Sequence, residues 1–483
     1  MRINSWIIML TVLLLTVGCT RPAEPPKSPQ PQSEKQAVLT EVKIASTEEI
    51  GSLDPLKINS PMEFQIAQAI YQGLVEFDES TRRYQPLLAE KFTDNEDGTG
   101  LIFTIKSGIA FQDGTPLDAE VVRASLERWL TSYQEPWLSP IDVVKVEDNY
   151  TLLLTWRRSK EEMLAALAGP RASVLSAGKL ENPGFQAGTY FEPTRLEAGT
   201  GPYFVQEWAD GQWITLAANK KYQGDLPAVE RWEIWFNYLP EDALTDMQSR
   251  RVDMVQGLDQ GLLTIGHEMN MDSLLKINKL SSGIFLSFNP VVFKEPAMRQ
   301  SLAGLIDRRE VSRALKGLHL PMYRYLPKTG GGVSVSDVVY PQGAAALLEA
   351  GLADLTWSES RQLSISIRQQ TLAQLEDKGI LVEPVEQDKV ADLRLIIWTE
   401  PYQHPNAVLE LWQRHNLEKG TLPRGVSENS REHIELLSRN FAAQSKLIPL
   451  LALRQALYVR KIDVPLSDWG YLDLASYHPA DGE

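Results

Sequence analysis

The side chains best suited to hold a ligand sit in one short run, residues 395–406, LIIWTEPYQHPN. Trp398 and Tyr402 offer aromatic faces, Glu400 a carboxylate that can pair with an ammonium, and His404 an imidazole. Pro401 and Pro405 restrict the backbone between them, so the group is held in place before any ligand arrives. An apolar run that breaks into aromatics, an acid and two prolines has the form of a buried strand emerging at a surface. Phe288 and Asn289, at the end of GIFLSFNP, are further candidates of the same kind.

The remaining sequence gives no sign of bond-breaking chemistry. It contains no G-x-S-x-G, no G-x-x-x-x-G-K-[ST] and no H-E-x-x-H, since His267-Glu268 lacks the second histidine. Gly199-Thr200-Gly201 has no third glycine of a dinucleotide loop and precedes a strand pattern, not a helix. Six histidines are scattered, and a single cysteine rules out thiolate zinc sites. Glu161-Glu162 reads as a solvated helix face. The expectation is therefore a protein with no catalytic residue, no metal site and no cofactor. A net charge of −15 argues against nucleic acid and against an anionic membrane surface, because either needs a basic footprint.

The N-terminus speaks of export. MRINSWIIMLTVLLLTVGC has one early positive charge, Arg2, then an apolar stretch from Trp6 to Val17, short for a membrane span. It ends in Thr16-Val17-Gly18-Cys19, which resembles the bacterial lipobox; Thr16 stands where that pattern prefers leucine. The expectation is a signal peptide over 1–19, with Cys19 diacylated as the mature N-terminus, and a protein in the cell envelope facing the periplasm or the extracellular side. Residues 20–37 are proline-rich with no large apolar residue among 21–36, and so form a tether and not a core. The body that follows has no cysteine for a disulfide and must rest on its apolar core, which its length allows.

The elements that must position the candidate residues alternate between helix and strand. TEVKIAS reads as a strand. MEFQIAQAIYQG reads as a helix, with Phe64, Ala67, Ile70 and Tyr71 at helical spacing. Hairpins follow around NEDGTG, Asp148-Asn149 and Asp210-Gly211. Thr115, with Pro116 after it, is placed to cap a helix whose apolar face is Val122, Leu126, Trp129 and Leu130. Asp307 and Glu310 are spaced as a capping box, and QLSISI reads as a strand before a helix over LAQLEDKG. ADLRLIIW is a strand that ends on Trp398. Such alternation argues for α/β layers.

Seven segments, in order, resemble the family 5 extracellular solute-binding proteins, the peptide- and nickel-binding subunits of ABC importers. They are SLDP, IYQGLVEFD, PLLAEKF through FQDGTP and its helix, GTGPYFVQEW, RRVDMV, FLSFNP with MRQSLAGLIDRREV, and AALLEAGL. The resemblance implies a periplasmic-binding-protein-like two-lobed clamshell of type II, with three domains. Domain I would combine 38–62, 197–258 and 465–483; domain II would be 63–196 and domain III 259–464, with hinge crossings near 258 and 464. It implies a monomer that takes a peptide or other small polar solute between domains I and III by hinge closure, with ABC permease subunits and, through its lipid anchor, the membrane as partners.

This chain departs from the family pattern in two places. Arg368-Gln369-Gln370 is nearly all that separates LSISI from LAQLEDKG, which implies a trimmed domain III. Where the family often has W..DY.DP, Trp398, Tyr402 and Pro405 match, but Pro401 takes the place of the Asp that holds a peptide's α-ammonium, and His404 replaces the second acid. These departures keep a transport-independent binding module, such as a peptide signal receptor, an envelope chaperone or an adhesin, as the alternative.

Overall fold

The computed structural model describes residues 41–476 except 59, 79–80, 82, 132–138, 158–159, 177–198, 210, 323–339, 341–343, 360–364, 386–389, 400–443, 446 and 460–471. β1 (Glu41–Ser46) leads through the SLDP loop into α1 (Pro61–Ile70). Buried acids build that loop. The Glu63 carboxylate accepts from the backbone N–H groups of Gly51, Ser52 and Ser60 at 2.8, 3.1 and 3.1 Å, while Ser60 Oγ accepts from Glu63 N–H at 3.1 Å. With Pro61 at the first helical position, this is a capping box carried by S-P-M-E. Asp54 accepts from Leu56 N–H, and both its oxygens take the Arg128 guanidinium, at 2.8 and 2.7 Å. That pair is almost fully buried and fastens the loop to the layer that follows.

That layer is an antiparallel unit with its own core. β2 (Val75–Asp78) and β3 (Arg83–Pro86) form a ribbon. β4 (Ala89–Asp94), β5 (Gly100–Ile105), β6 (Ile141–Asp148) and β7 (Thr151–Trp156) form a four-stranded sheet in the order β4-β5-β7-β6. Gly98, in the NEDGTG turn, has φ +64, which glycine adopts without strain. α2 (Ala119–Leu130) and α3 (Lys160–Leu167) cover the sheet, and Phe103, Phe111, Leu126, Trp129, Leu152 and Leu154 are buried between them. The predicted apolar stripe of α2 is present, but its cap is Asp118, whose side chain accepts from Val121 N–H. Thr115 spends its hydroxyl and N–H on Asp113 in the preceding turn.

The larger sheet takes β1 and the strands from 203 onward: β8 (Tyr203–Ala209), β9 (Trp213–Ala218), β10 (Arg231–Trp235), β11 (Met254–Gly257), β12 (Leu275–Phe288), β13 (Leu320–Pro321), β14 (Asp354–Glu359), β15 (Leu381–Pro384), β16 (Leu393–Thr399) and β17 (Leu447–Val459). Their order is β15-β14-β16-β12-β17-β11-β1-β10-β9-β8, with β13 added on β17. α4 (Pro240–Gln248), α5 (Gly261–Glu268), α6 (Pro296–Leu305), α7 (Arg308–Ala314), α8 (Ala344–Glu349) and α9 (Ile365–Glu376) connect its strands.

Three local expectations change here. GIFLSFNP is only the last part of a 14-residue strand, β12. The strand assigned to QLSISI lies one segment earlier, as β14; Ile365 opens α9, where Ile367, Thr371 and Leu375 recur every four residues and are all buried. α9 is a 12-residue helix between the parallel strands β14 and β15, so the crossover is complete and the expected trimming is not found there. Asp307 caps α7 by accepting from Arg309 and Glu310 N–H, but its own N–H donates to Gln374 Oε1 of α9 at 2.6 Å, so no reciprocal box with Glu310 forms.

Candidate functional site

Strand direction singles out the middle of β17. β1, β10 and β11 are parallel, and β17 is antiparallel to both β11 and β12. β16 opposes β12, and β14 and β15 run with β16. β12 therefore runs with β11, while β16, β14 and β15 beyond it point the opposite way from β1, β10 and β11, and the registers place the two groups at different heights. Ser46, the last residue of β1, pairs with Gln256, which pairs with Leu457. Near the end of β16, Trp398 pairs with Gly283, which pairs with Ala452. The carboxyl ends of strands from both halves thus face each other across the five-residue step from Ala452 to Leu457, about 17 Å of strand. Ligands of open α/β sheets bind outside the carboxyl ends of strands. β12 and β17 are long enough to serve both halves, and the β12·β17 register shifts between Lys279 and Gly283, an irregularity of the kind that bends a strand.

One face of the sheet at this level is polar and buried. Cross-strand partners share a face, so Ser46, Gln256, Gln455 and Asn278 project together. α1 covers them. Gln256 Nε2 donates to Gln65 Oε1 at 3.0 Å, and Gln455 Nε2 donates to Glu48 Oε1 at 2.9 Å. Gln65 Nε2, Gln256 Oε1, Gln455 Oε1 and Asn278 Nδ2 are buried without a hydrogen-bond partner among the described residues. Interiors seldom leave such groups unpaired, so four amide atoms on one face set this level of the sheet apart. Burial pushes the Glu48 carboxyl up to about 7; the Gln455 amide and the Met62 N–H draw it down, and neighbouring Glu63 adds to the rise. Gly257 ends β11 beside this group, and a Cβ there would lie 1.9 Å from Thr47 Oγ1.

On β17, Arg454 N–H donates to His319 Nδ1 at 3.2 Å, which places the ring proton on Nε2, facing Leu258 O at 3.0 Å. The Arg454 guanidinium donates to the carbonyls of Leu318 and Gly317. Burial pushes the His319 imidazole down to about 4, so it is neutral at ordinary pH. The ring joins the middle of β17 to Leu258, the residue that follows β11.

The expected site residues divide. The backbone of Trp398 lies at the junction. Phe288 pairs with Leu393 at the far end of β12, five residues or about 17 Å from Gly283, where its ring meets Phe293 edge-on at 5.1 Å. Asn289 Oδ1 accepts from Val291 N–H, and its backbone bonds Asp392 and Phe293. Glu400, Tyr402 and Cys19 lie outside the described residues. Sequence reasoning missed Glu48, Glu63, Gln256, Gln455 and His319. S-P-M-E, with its serine and glutamate three apart beside a proline, was the one readable signal among them.

Among the described residues no group of three His, Cys, Asp or Glu could hold a metal, and no helix is long and apolar enough to cross a membrane. Concavities lie away from the junction, one of about 610 Å³ beside Phe204, Ala217 and Arg231 and one of about 400 Å³ beside Tyr222 and Asp473.

Opposed strand ends bridged by two long strands define a two-lobed binding-protein architecture. The chain belongs to the bacterial extracellular solute-binding proteins of family 5, whose middle-region profile matches residues 83–387. It is a substrate-binding protein of the ABC-transporter class and not an enzyme. It is similar to the glutathione-binding protein GsiB of Salmonella paratyphi A, 26% identical over 367 residues, covering 69% of this chain and 68% of that protein. Two solved structures share the fold. One is the periplasmic binding protein DppA of Helicobacter pylori with the peptide STSA, at TM-score 0.74 and 16% identity, covering 91% of this chain and 98% of that one. The other is the oligopeptide-binding protein AppA of Bacillus subtilis with a nonapeptide, at TM-score 0.72 and 17% identity, covering 92% and 100%.

Proposed function

We propose that the protein captures a peptide or other small polar solute at the junction by closure of its two halves, and delivers it to an ABC permease from a lipid anchor on Cys19. The observation that carries this reading is the facing of strand carboxyl ends across Ala452–Leu457, bridged by β12 and β17. Contacts to both halves exist only when they close, so a ligand that makes them favours the closed form. In this reading domain I is 38–62 with 197–258 and 465–483, domain II is 63–196, domain III is 259–464, and Leu258 is one hinge crossing. Trp398 packs on the ligand, and Glu400 and Tyr402 follow it on a loop stiffened by Pro401 and Pro405. The complete β14–α9–β15 crossover removes one of the two reasons for a role outside transport.

Relatives and neighbours carry glutathione, the tetrapeptide STSA and a nonapeptide by name, which supports a peptide-like solute and leaves its free amine open. Pro401 offers no charge where peptide binders place Asp. Calorimetry on free and N-acetylated peptides, chosen after native mass spectrometry identifies the retained solute, tests this. If Glu400 substitutes for that Asp, acetylation and Glu400→Gln each weaken binding by about ten- to a hundredfold. Near-silence of both changes points to a ligand without a free amine, which is the outcome expected here. Unchanged affinity in both Trp398→Ala and Tyr402→Ala overturns the site. A Cys19→Ser protein that stays in the membrane fraction after normal signal cleavage overturns the anchor.

A further inference from the structure

The cavity of about 400 Å³ lies well away from the junction, where the end of α1 meets β2, the Pro170–Ala172 turn and the segment around Asp473. Its volume falls in the range of small-molecule pockets and is far more than a bare ion fills. Two carboxylates line it. Glu76 stands exposed at its mouth on β2, and Asp473, within, accepts from the N–H groups of Ala475 and Ser476. Neither is in an ion pair among the described residues, and the lining contains no Lys, Arg or His. Phe77 and Tyr222 supply aromatic wall, and the Tyr222 hydroxyl accepts from Gln72 Nε2 at 3.3 Å.

A second, independent feature points inward. Ser173 also lines the cavity and is only 6% exposed, yet its hydroxyl has no hydrogen-bond partner among the described residues. A hydroxyl that opens onto a cavity is satisfied by whatever fills the space before it.

We infer that this cavity is a second binding site, for a small organic cation such as a primary ammonium, held between the Glu76 and Asp473 carboxylates against the faces of Phe77 and Tyr222. An ammonium brings three donors and no acceptor, which suits two carboxylates and a free hydroxyl. Aromatic faces attract the same charge. The local field agrees. Burial raises the Tyr222 phenol, with Glu76, Asp225 and Asp473 adding to it. Surrounding protein raises Glu76, and Asp78 and Asp473 reinforce this against the pull of Lys106. A bound cation relieves that repulsion.

The test is calorimetry on the full chain with putrescine, its uncharged counterpart 1,4-butanediol, and Mg²⁺. Putrescine should bind with one-to-one stoichiometry, at least tenfold more tightly than either control. Glu76→Gln and Asp473→Asn should each weaken it tenfold or more, while Trp398→Ala, at the junction, should leave it unchanged. Glu76 is exposed and Asn keeps the acceptor that Asp473 offers the turn, so both variants should fold, which their melting curves check. No putrescine binding, equal binding of butanediol or Mg²⁺, or putrescine binding that survives both acid substitutions would overturn the site. Loss in Trp398→Ala alone would do the same, by placing putrescine at the junction.

Discussion

The unit around β4–β7 and the junction on β17 both bury polar groups, and they treat them in opposite ways. The first has an apolar core and the buried ion pair Asp54–Arg128, with both carboxylate oxygens engaged. The second buries Glu48, Gln65, Gln256, Gln455, Asn278 and His319 close to the middle strand and leaves several of their atoms without partners among the described residues. One arrangement fixes a shape. The other carries unfavourable burial at the place where the proposed closure would hold a solute. Local rules are broken where a protein works and kept where it only has to stand.

Breaking the closed pair should have the largest effect. Asp54→Ala leaves the Arg128 guanidinium, 4% exposed, without its carboxylate. A stability loss of about 3–5 kcal/mol is expected, read from denaturant midpoints. A loss under 1 kcal/mol would mean that the pair is no anchor and that the contrast is wrongly drawn.

Glu48→Gln should move stability the other way. The Glu48 carboxyl is pushed up to about 7 from an ordinary value of 4.5, chiefly by burial. A raised folded pKa contributes stability that is fully present below 4.5 and is lost as pH rises through about 7. Gln keeps the acceptor for Gln455 and carries no charge. The variant should match the parent at pH 4.5 and exceed it at pH 8 by on the order of 3 kcal/mol, since one pKa unit is worth about 1.4 kcal/mol. A variant less stable than the parent at pH 8 would show that the ionised carboxylate is held by partners and not merely buried.

The two regions also differ in how far they can be read from sequence. Around β4–β7 the alternation of Val144 and Val146 with Leu152 and Leu154, and the stripe Val122–Leu126–Trp129, state the layer directly, because an apolar core leaves a periodic trace. Only the cap moved, from Thr115 to Asp118, because the turn acid Asp113 competes for the threonine. The junction leaves no such trace. Glu48 in STEEI has the look of a solvated loop acid, and Gln455 in LRQAL that of a surface position. Their burial follows from long-range pairing of β1, β11 and β17, which no local window contains. QLSISI misleads for a related reason. Its short alternation fits a strand, while the buried Ile367, Thr371 and Leu375 repeat at helical spacing across the boundary where that segment was cut.

The smallest expected effect separates a passive strut from a group tuned to the junction. His319 accepts from Arg454 N–H and donates to Leu258 O through opposite sides of one ring. Gln in its place reaches only one of the two, so His319→Gln should lower stability by about 1–3 kcal/mol at pH 7.5. The imidazole is pushed down to about 4 from an ordinary 6.5, chiefly by burial. For a base with a depressed folded pKa, the neutral form is the one the fold accepts. Its contribution is therefore present above 6.5 and is lost as pH falls toward 4. Stability curves of parent and variant should be separated at pH 7.5 and converge between pH 6.5 and 4. Parallel curves over that range would show that the ring acts only through its volume. Because the ring ties the middle of β17 to Leu258, the variant should also change how readily the halves separate. Small-angle scattering without ligand should show a larger radius of gyration than the parent, whereas Asp54→Ala, at a pH where it is still folded, should not. Expansion in both variants, or in neither, would erase the distinction between the part of the molecule that stands and the part that moves.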